Sequence, residues 1–175
     1  MTFFRTAALV GLVLTASACD SGRDDVVRRA FVTQISIIDA PLFRENGDRW
    51  DGGPLPSGPD IFLEIEGTSG VTLLSTRDLT DIDGNTVGVL QDADAVSFPF
   101  TFVFPDVPET EFNDLNRVLV VELRDADVTG SESMLFTESF TFDAFAPTRA
   151  GGTSNVLLQS DDGAAIVQIT VDWED

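Results

Sequence analysis

Residues 119–125, Leu-Val-Val-Glu-Leu-Arg-Asp, alternate apolar and polar side chains along one short stretch of the chain. Leu119, Val121 and Leu123 share one parity, and the charged glutamate and arginine between them share the other. Successive side chains of a β-strand point to opposite faces of its sheet. The alternation therefore predicts a strand with one buried face and one solvated face.

The same period of two recurs outward from this stretch in both directions. The other segments with apolar side chains of one parity are residues 31–37, 61–66, 98–104, 134–142 and 165–173, with shorter candidates at 71–75 and 155–159. No segment of ten or more residues has a helical period, and the best short candidate is 109–116. We predict an all-β fold, an antiparallel β-sandwich of about eight strands over residues 31–175, with Phe100 and Phe140 facing inward.

Acidic residues dominate the charge of the chain. Thirty Asp and Glu face ten basic residues, all of them arginine, for a formal net charge of −20. Such a surface repels nucleic acid and anionic membranes, and it favours divalent cations as partners. The alternative is adaptation to a salty medium, where screening removes the repulsion between the acids.

The absent residue types exclude several kinds of chemistry. The chain has no histidine, so it contains no Ser-His-Asp or Cys-His nucleophile system. Its single cysteine, Cys19, cannot form an intramolecular disulfide, and the shortage of nitrogen and sulfur ligands argues against a Zn, Cu or Fe site. Carboxylates are the only plentiful reactive groups.

Residues 1–18 have the layout of a bacterial export signal, with Arg5, an apolar run over 6–14 and small residues before Cys19. The junction resembles the lipobox of bacterial lipoproteins. This resemblance implies a lipid on Cys19, a tether over 19–30, and a cell-envelope location outside the cytoplasm, on the inner or the outer membrane. The alternative is cleavage after Ala18 by ordinary signal peptidase, which would leave a soluble protein with a free thiol. The apolar run falls short of the ~20 residues that span a bilayer.

Two acidic segments lie where predicted strands begin or end. Residues 46–51 lead through a Gly/Pro loop to Ser57-Gly58-Pro59-Asp60-Ile61-Phe62, and Asp125-Ala126-Asp127 follows the strand quoted first. At these positions the chain resembles a C2 domain, as found in small exported lipoproteins. The stretch 57–62 resembles the entry to the second C2 strand, and 125–127 resembles the acidic pair of the third loop. Residues 98–104 and 163–173 resemble the fourth and the closing strands.

The C2 resemblance implies that the loops meet at one end of the sandwich and bind Ca²⁺, which prefers about 6–8 oxygen ligands. The ligands implied by the motifs are Asp51, Asp60, Asp125 and Asp127, with Glu132 or Ser133 in the last position, and Asp48 is the alternative to Asp51. The competing interpretation is that aspartates populate turns through local backbone hydrogen bonds. Asp81-Ile82-Asp83-Gly84-Asn85 lacks the spacing of an EF-hand loop and is predicted to be a turn. Asp92-Ala93-Asp94 is predicted to be a turn in the same way.

Three function hypotheses follow. The first is a non-enzymatic, lipid-anchored C2-like binding module, Ca²⁺-dependent, that contacts an envelope protein or polar lipid headgroups. Trp50, in the acidic segment 46–51, is either an interfacial side chain or a partly buried structural one. The second is a metal-free structural or accessory lipoprotein acting by protein–protein contact. The third is a glycosidase using a carboxylate pair, for which few aromatic platforms are available.

Overall fold

The computed structural model describes residues 26–44, 46–50, 58–105, 110–126 and 133–175. Within these ranges the chain forms nine strands: β1 Arg29–Asp39, β2 Ile61–Gly67, β3 Thr72–Ser75, β4 Phe100–Val103, β5 Glu111–Phe112, β6 Leu119–Asp125, β7 Ser133–Phe140, β8 Thr153–Gln159 and β9 Ile166–Glu174. The strands are joined in places by short 3-10 turns, such as Ala93–Ala95. No helix among the described residues is both long enough and apolar enough to cross a bilayer.

The strands pair into two sheets, and every pairing is antiparallel. One sheet has the order β4-β1-β9-β8, with β5 also pairing with β1, and the other has the order β3-β2-β6-β7. The predicted all-β antiparallel sandwich is therefore confirmed. The best short helical candidate, 109–116, contains the two-residue strand β5.

The alternation read from the sequence predicts the core of β2, β6 and β9 correctly. The inward side chains of these strands are at most 1% exposed: Ile61, Leu63, Ile65, Leu119, Val121, Leu123, Val167, Ile169, Val171 and Trp173. Full burial of one such side chain contributes about 1.5–3 kcal/mol. The two sheets are thus held face to face by a continuous apolar layer.

Two β-bulges change which side chains face the core, and the predicted inward positions of Phe31 and Met134 are wrong beside them. In β1 the register shifts between Val32 and Gln34, so Val32 is buried at 1% exposure and Phe31 is only partly buried. In the β6–β7 pair the register shifts between Leu123 and Arg124. Met134, which was predicted to face inward, is 42% exposed. A bulge inserts one extra residue into a strand, and every side chain beyond it changes face.

The phenylalanines divide between the core and its edge. Phe140 is 6% exposed and Phe102 is 3% exposed, so both rings lie in the core. Phe100, which was also predicted to face inward, packs against the core but is only partly buried. At the end of the sandwich where β7 and β9 finish, Phe142 packs edge-on against Phe140 and Trp173, with ring centroids 5.2 and 6.1 Å away. This aromatic cluster closes the core opposite the acidic loops.

Candidate binding site at the loop end of the sandwich

The acidic loops meet at one end of the molecule, which we call the loop end. Ile61 at the start of β2 pairs with Asp125 at the end of β6, so the loops that flank them are neighbours. The segment around 90–94 joins them, because Leu90 and Ile61 exchange two backbone hydrogen bonds. Three separate stretches of chain therefore bring carboxylates to the same place.

Asp60 and Asp125 lie in direct contact at the loop end. The backbone N–H of Asp60 donates to Asp125 Oδ1 at 2.9 Å, and the N–H of Ala126 donates to the Asp60 carbonyl at 2.8 Å. Asp125 is fully buried, whereas Asp60 is partly exposed. Because a buried carboxylate needs hydrogen bonds in place of water, this contact fixes the third-loop aspartate against the entry to β2.

A second pair of aspartates, Asp92 and Asp94, extends the site. Asp92 has a φ of 48°, in the left-handed region that Asp tolerates better than most residues, and its N–H donates to Asp60 Oδ1 at 2.8 Å. Asp94 forms an ion pair with Arg49 and accepts the N–H of Gly58 at 3.1 Å. These contacts tie Arg49 and Gly58 to the segment before β4.

The five predicted Ca²⁺ ligands divide between described and undescribed residues. Asp60 and Asp125 are brought together, whereas Asp51, Asp127 and Glu132 lie outside the described residues, as does Cys19. The described alternative, Asp48, is exposed and pairs with Asn46 in its own turn. Sequence reasoning placed 92–94 in an ordinary turn, but this stretch repeats the Asp-Ala-Asp triplet of 125–127, and that repeat was the available signal.

A carboxylate cluster that was not predicted lies on the outer face of the β2–β6 pair. Carboxylate oxygens of Glu64, Glu66 and Glu122 lie within 4.8 Å of one another. Arg124 forms ion pairs with all three, with its Nε 3.4 Å from Glu64 and its Nη2 3.7 Å from Glu66. Burial opposes the charge on Arg124, but its hydrogen bond with Glu122 and the charges of the three glutamates raise its pKa. The Arg124 guanidinium thus offsets the repulsion between Glu64 and Glu122, which face each other across β2 and β6.

The 81–85 segment forms the predicted turn. Asp81 Oδ1 accepts the N–H groups of Asp83 and Asn85 at 2.9 and 2.8 Å, and Oδ2 accepts the Asn85 side chain at 2.9 Å. These bonds, that of the Asn85 side chain above all, lower the pKa of Asp81. Its carboxylate therefore serves the turn itself.

Trp50 is a partly buried structural side chain in this structure, one of the two roles considered for it. Its Nε1–H donates to the Pro41 carbonyl at 2.7 Å. The Arg44 guanidinium lies 5.3 Å from the centroid of its ring and donates to its carbonyl at 2.8 Å. Trp50 thus joins the two ends of the segment 41–50.

No protein-family model matches the chain, and no curated protein matches it in sequence. Among solved structures it is similar to human GIVD cytosolic phospholipase A2 in complex with methyl gamma-linolenyl fluorophosphonate, with 12% identity and a TM-score of 0.44 over 86% of this chain. That match covers 18% of the phospholipase chain. A C2 domain of plant extended synaptotagmin 1 matches with 13% identity and a TM-score of 0.38, over 85% of this chain and 95% of the domain.

These neighbours include a C2 domain. At such identities and TM-scores, the activities and ligands of the neighbours do not transfer to this chain. The class that the fold and the site define is an all-β, antiparallel sandwich with an acidic loop end.

Proposed function

We propose that this protein is a non-enzymatic C2-like binding module, anchored by a lipid on Cys19 in a bacterial cell envelope, that binds its partner through the loop end. The anchor rests on the sequence of residues 1–19 alone. The partner is an envelope protein or a polar lipid headgroup, and the net charge of −20 disfavours nucleic acid.

One observation carries the binding role of the loop end. The backbone N–H of Asp60 donates to Asp125 Oδ1 at 2.9 Å, although the two residues are far apart in sequence, and the backbone N–H of Asp92 donates to Asp60 Oδ1 at 2.8 Å. Concentrating carboxylates costs electrostatic free energy, which a bound cation would relieve.

Ca²⁺ is the ligand that fits this donor chemistry, because it takes carboxylate and carbonyl oxygens in a forgiving geometry. Asp60 and Asp125 would hold it from the described part of the chain, together with Asp51, Asp127 and Glu132. Bound Ca²⁺ supplies positive charge through which an acidic surface can attract anionic groups of a partner. The protein's own contribution is to hold its loops in one arrangement.

A second candidate is the metal-free accessory lipoprotein, and one observation favours it. The carboxylates of Asp60, Asp94 and Asp125 each already accept a backbone N–H group, and Asp94 also pairs with Arg49. In this alternative the aspartates connect the loops, and a protein partner contacts the resulting surface without a metal.

Calcium titration by isothermal calorimetry separates the two candidates. We expect the wild-type protein to release or absorb heat on binding Ca²⁺, and Asp60→Asn to weaken binding at least tenfold. Asp83→Asn, an exposed aspartate in the 81–85 turn, is the matched control and should bind as the wild type does. Absence of binding in the wild type would favour the metal-free module.

Membrane anchoring is tested separately by fractionation. Wild-type protein should incorporate labelled fatty acid and sediment with membranes, whereas Cys19→Ala should do neither. Wild-type protein found in the soluble fraction and cleaved after Ala18 would contradict the lipid anchor, whatever the calcium titration gives.

A further inference from the structure

A cleft of about 720 Å³ opens beside β7, and its lining does not include Asp60 or Asp125. One wall is the hairpin of residues 41–50, in which Phe43 pairs with Arg49, and the other wall is the β8–β9 turn at 160–165. Ligand-binding clefts in proteins measure roughly 300–1,000 Å³, so this one has the size of a binding site.

The floor of the cleft is the outer edge of β7. Five consecutive residues of this strand, 134–138, line the cleft. Because neighbouring side chains of a strand point to opposite faces, a cavity that touches five in a row must run along the strand's edge. In the part of the chain that the structure describes, β7 is the last strand of its sheet and pairs only with β6.

An edge strand presents backbone N–H and C=O groups that can pair with another extended chain. Extended peptides bind many proteins in this way, with backbone hydrogen bonds giving affinity and side-chain pockets giving specificity. The cleft follows this edge between the 41–50 hairpin and the β8–β9 turn. Phe43, 52% exposed, and Met134, 42% exposed, supply apolar contacts beside it.

The charged side chains that line the cleft favour a positively charged partner. Its lining carries three carboxylates, Glu138, Asp161 and Asp162, and one guanidinium, Arg44, which is already engaged with Trp50. The excess is therefore negative, on a molecule of net charge −20. A second copy of this chain would bring the same carboxylates against themselves.

We propose that the edge of β7 is a docking site for an extended peptide segment rich in arginine or lysine, which adds as a strand to the β3-β2-β6-β7 sheet. Its backbone pairs with residues 134–138. Its basic side chains reach Glu138 and Asp161, and its apolar side chains contact Phe43 and Met134. The cleft lining contains neither Asp60 nor Asp125, so the inference does not rest on Ca²⁺ binding.

Binding of a fluorescent decapeptide of alternating valine and lysine, followed by anisotropy, tests the proposal. The first control peptide has the same sequence with alternate backbone nitrogens methylated, which removes main-chain donors but keeps every charge. We expect saturable binding of the first peptide and at least tenfold weaker binding of the methylated one. Equal binding of both would mean attraction by net charge alone and would overturn the strand-addition proposal.

Variants then locate the site. Glu138→Gln with Asp161→Asn should weaken binding about fivefold, and Asp83→Asn with Asp114→Asn, which removes two exposed charges outside the cleft lining, should leave it nearly unchanged. On binding, backbone amides within 134–138 should gain protection from hydrogen exchange. Equal effects of the two double variants, or protection gained only elsewhere, would contradict the assignment to β7.

Discussion

The buried carboxylate of Asp125 is the residue on which the loop end depends. It is 0% exposed and accepts the N–H of Asp60 at 2.9 Å. Leaving a buried donor without its acceptor costs about 1–3 kcal/mol. We expect Asp125→Ala to lose that much unfolding free energy in urea denaturation, and Asp125→Asn, which keeps an acceptor oxygen, to lose less than half as much. Equal losses would mean that the hydrogen bond contributes little.

Asp81 offers a test of local electrostatics by NMR titration of its carboxyl carbon. The hydrogen bond from the Asn85 side chain holds the pKa of Asp81 below its ordinary value, and Asn85→Ala should raise it. Because the folded-state pKa is the lower one, the stabilisation is present above the unfolded-state pKa and is lost as the pH falls through the folded-state pKa.

The matched control for that titration is Asp162. Its pKa is lowered by the Ser160 hydroxyl and by the N–H of Ala164, in a different turn. Its titration should therefore not change in Asn85→Ala. An ordinary pKa for Asp81 in the wild type would contradict the hydrogen-bonded turn.

In the strand pair β2–β6, Arg124 holds three glutamates together. Glu64 and Glu122 lie directly opposite each other across the two strands, an unfavourable arrangement without the guanidinium. Arg124→Met should cost about 1–3 kcal/mol in urea denaturation, since charged hydrogen bonds are lost. Adding Glu122→Gln should restore part of this loss, and the double-mutant cycle measures the coupling. Additive effects would show that the two side chains do not interact.

Burial within the strands sets the cost of truncating each phenylalanine. Phe140 is 6% exposed and packs edge-on against Phe142, so Phe140→Ala should cost about 3–5 kcal/mol in urea denaturation. Phe100 is only partly buried on the short strand β4, and Phe100→Ala should cost less than half of that. A larger loss at Phe100 than at Phe140 would contradict the inward and edge positions of these two rings.

The strands differ in how well the sequence predicted them, for a physical reason. Period-two alternation is a local property, and it placed the buried side chains of β2, β6 and β9 correctly. The bulges that turn Phe31 and Met134 away from the core depend on pairing with a distant strand, which a single sequence does not reveal.

The same distinction applies to the candidate site. Asp60 and Asp125 were predicted together because their motifs resemble C2 loops. The place of Asp92 and Asp94 beside them follows from tertiary contacts with Asp60, Gly58 and Arg49. The register that puts Glu64 opposite Glu122 is likewise invisible until β2 and β6 are paired.

The molecule as a whole is an acidic sandwich, closed at one end by aromatic rings and at the other by carboxylate-bearing loops. A net charge of −20 makes any salt stabilise the fold by screening. The proposed function requires more than screening, because an ion that binds only the folded state stabilises it by RT ln(1 + [L]/Kd), which grows with the logarithm of the affinity. The contrast between Ca²⁺ and Na⁺ therefore tests the central claim.

The decisive measurement is thermal unfolding in millimolar CaCl₂ and in NaCl of equal ionic strength. Ligand at 100 times its Kd adds about 2.7 kcal/mol, which for a chain of this length raises the Tm by about 5–10 °C. We predict that Ca²⁺ gives this increment beyond NaCl in the wild type and that Asp60→Asn abolishes it. Equal shifts with the two salts would show that the loop-end aspartates only connect the loops, and would contradict a calcium-dependent binding module.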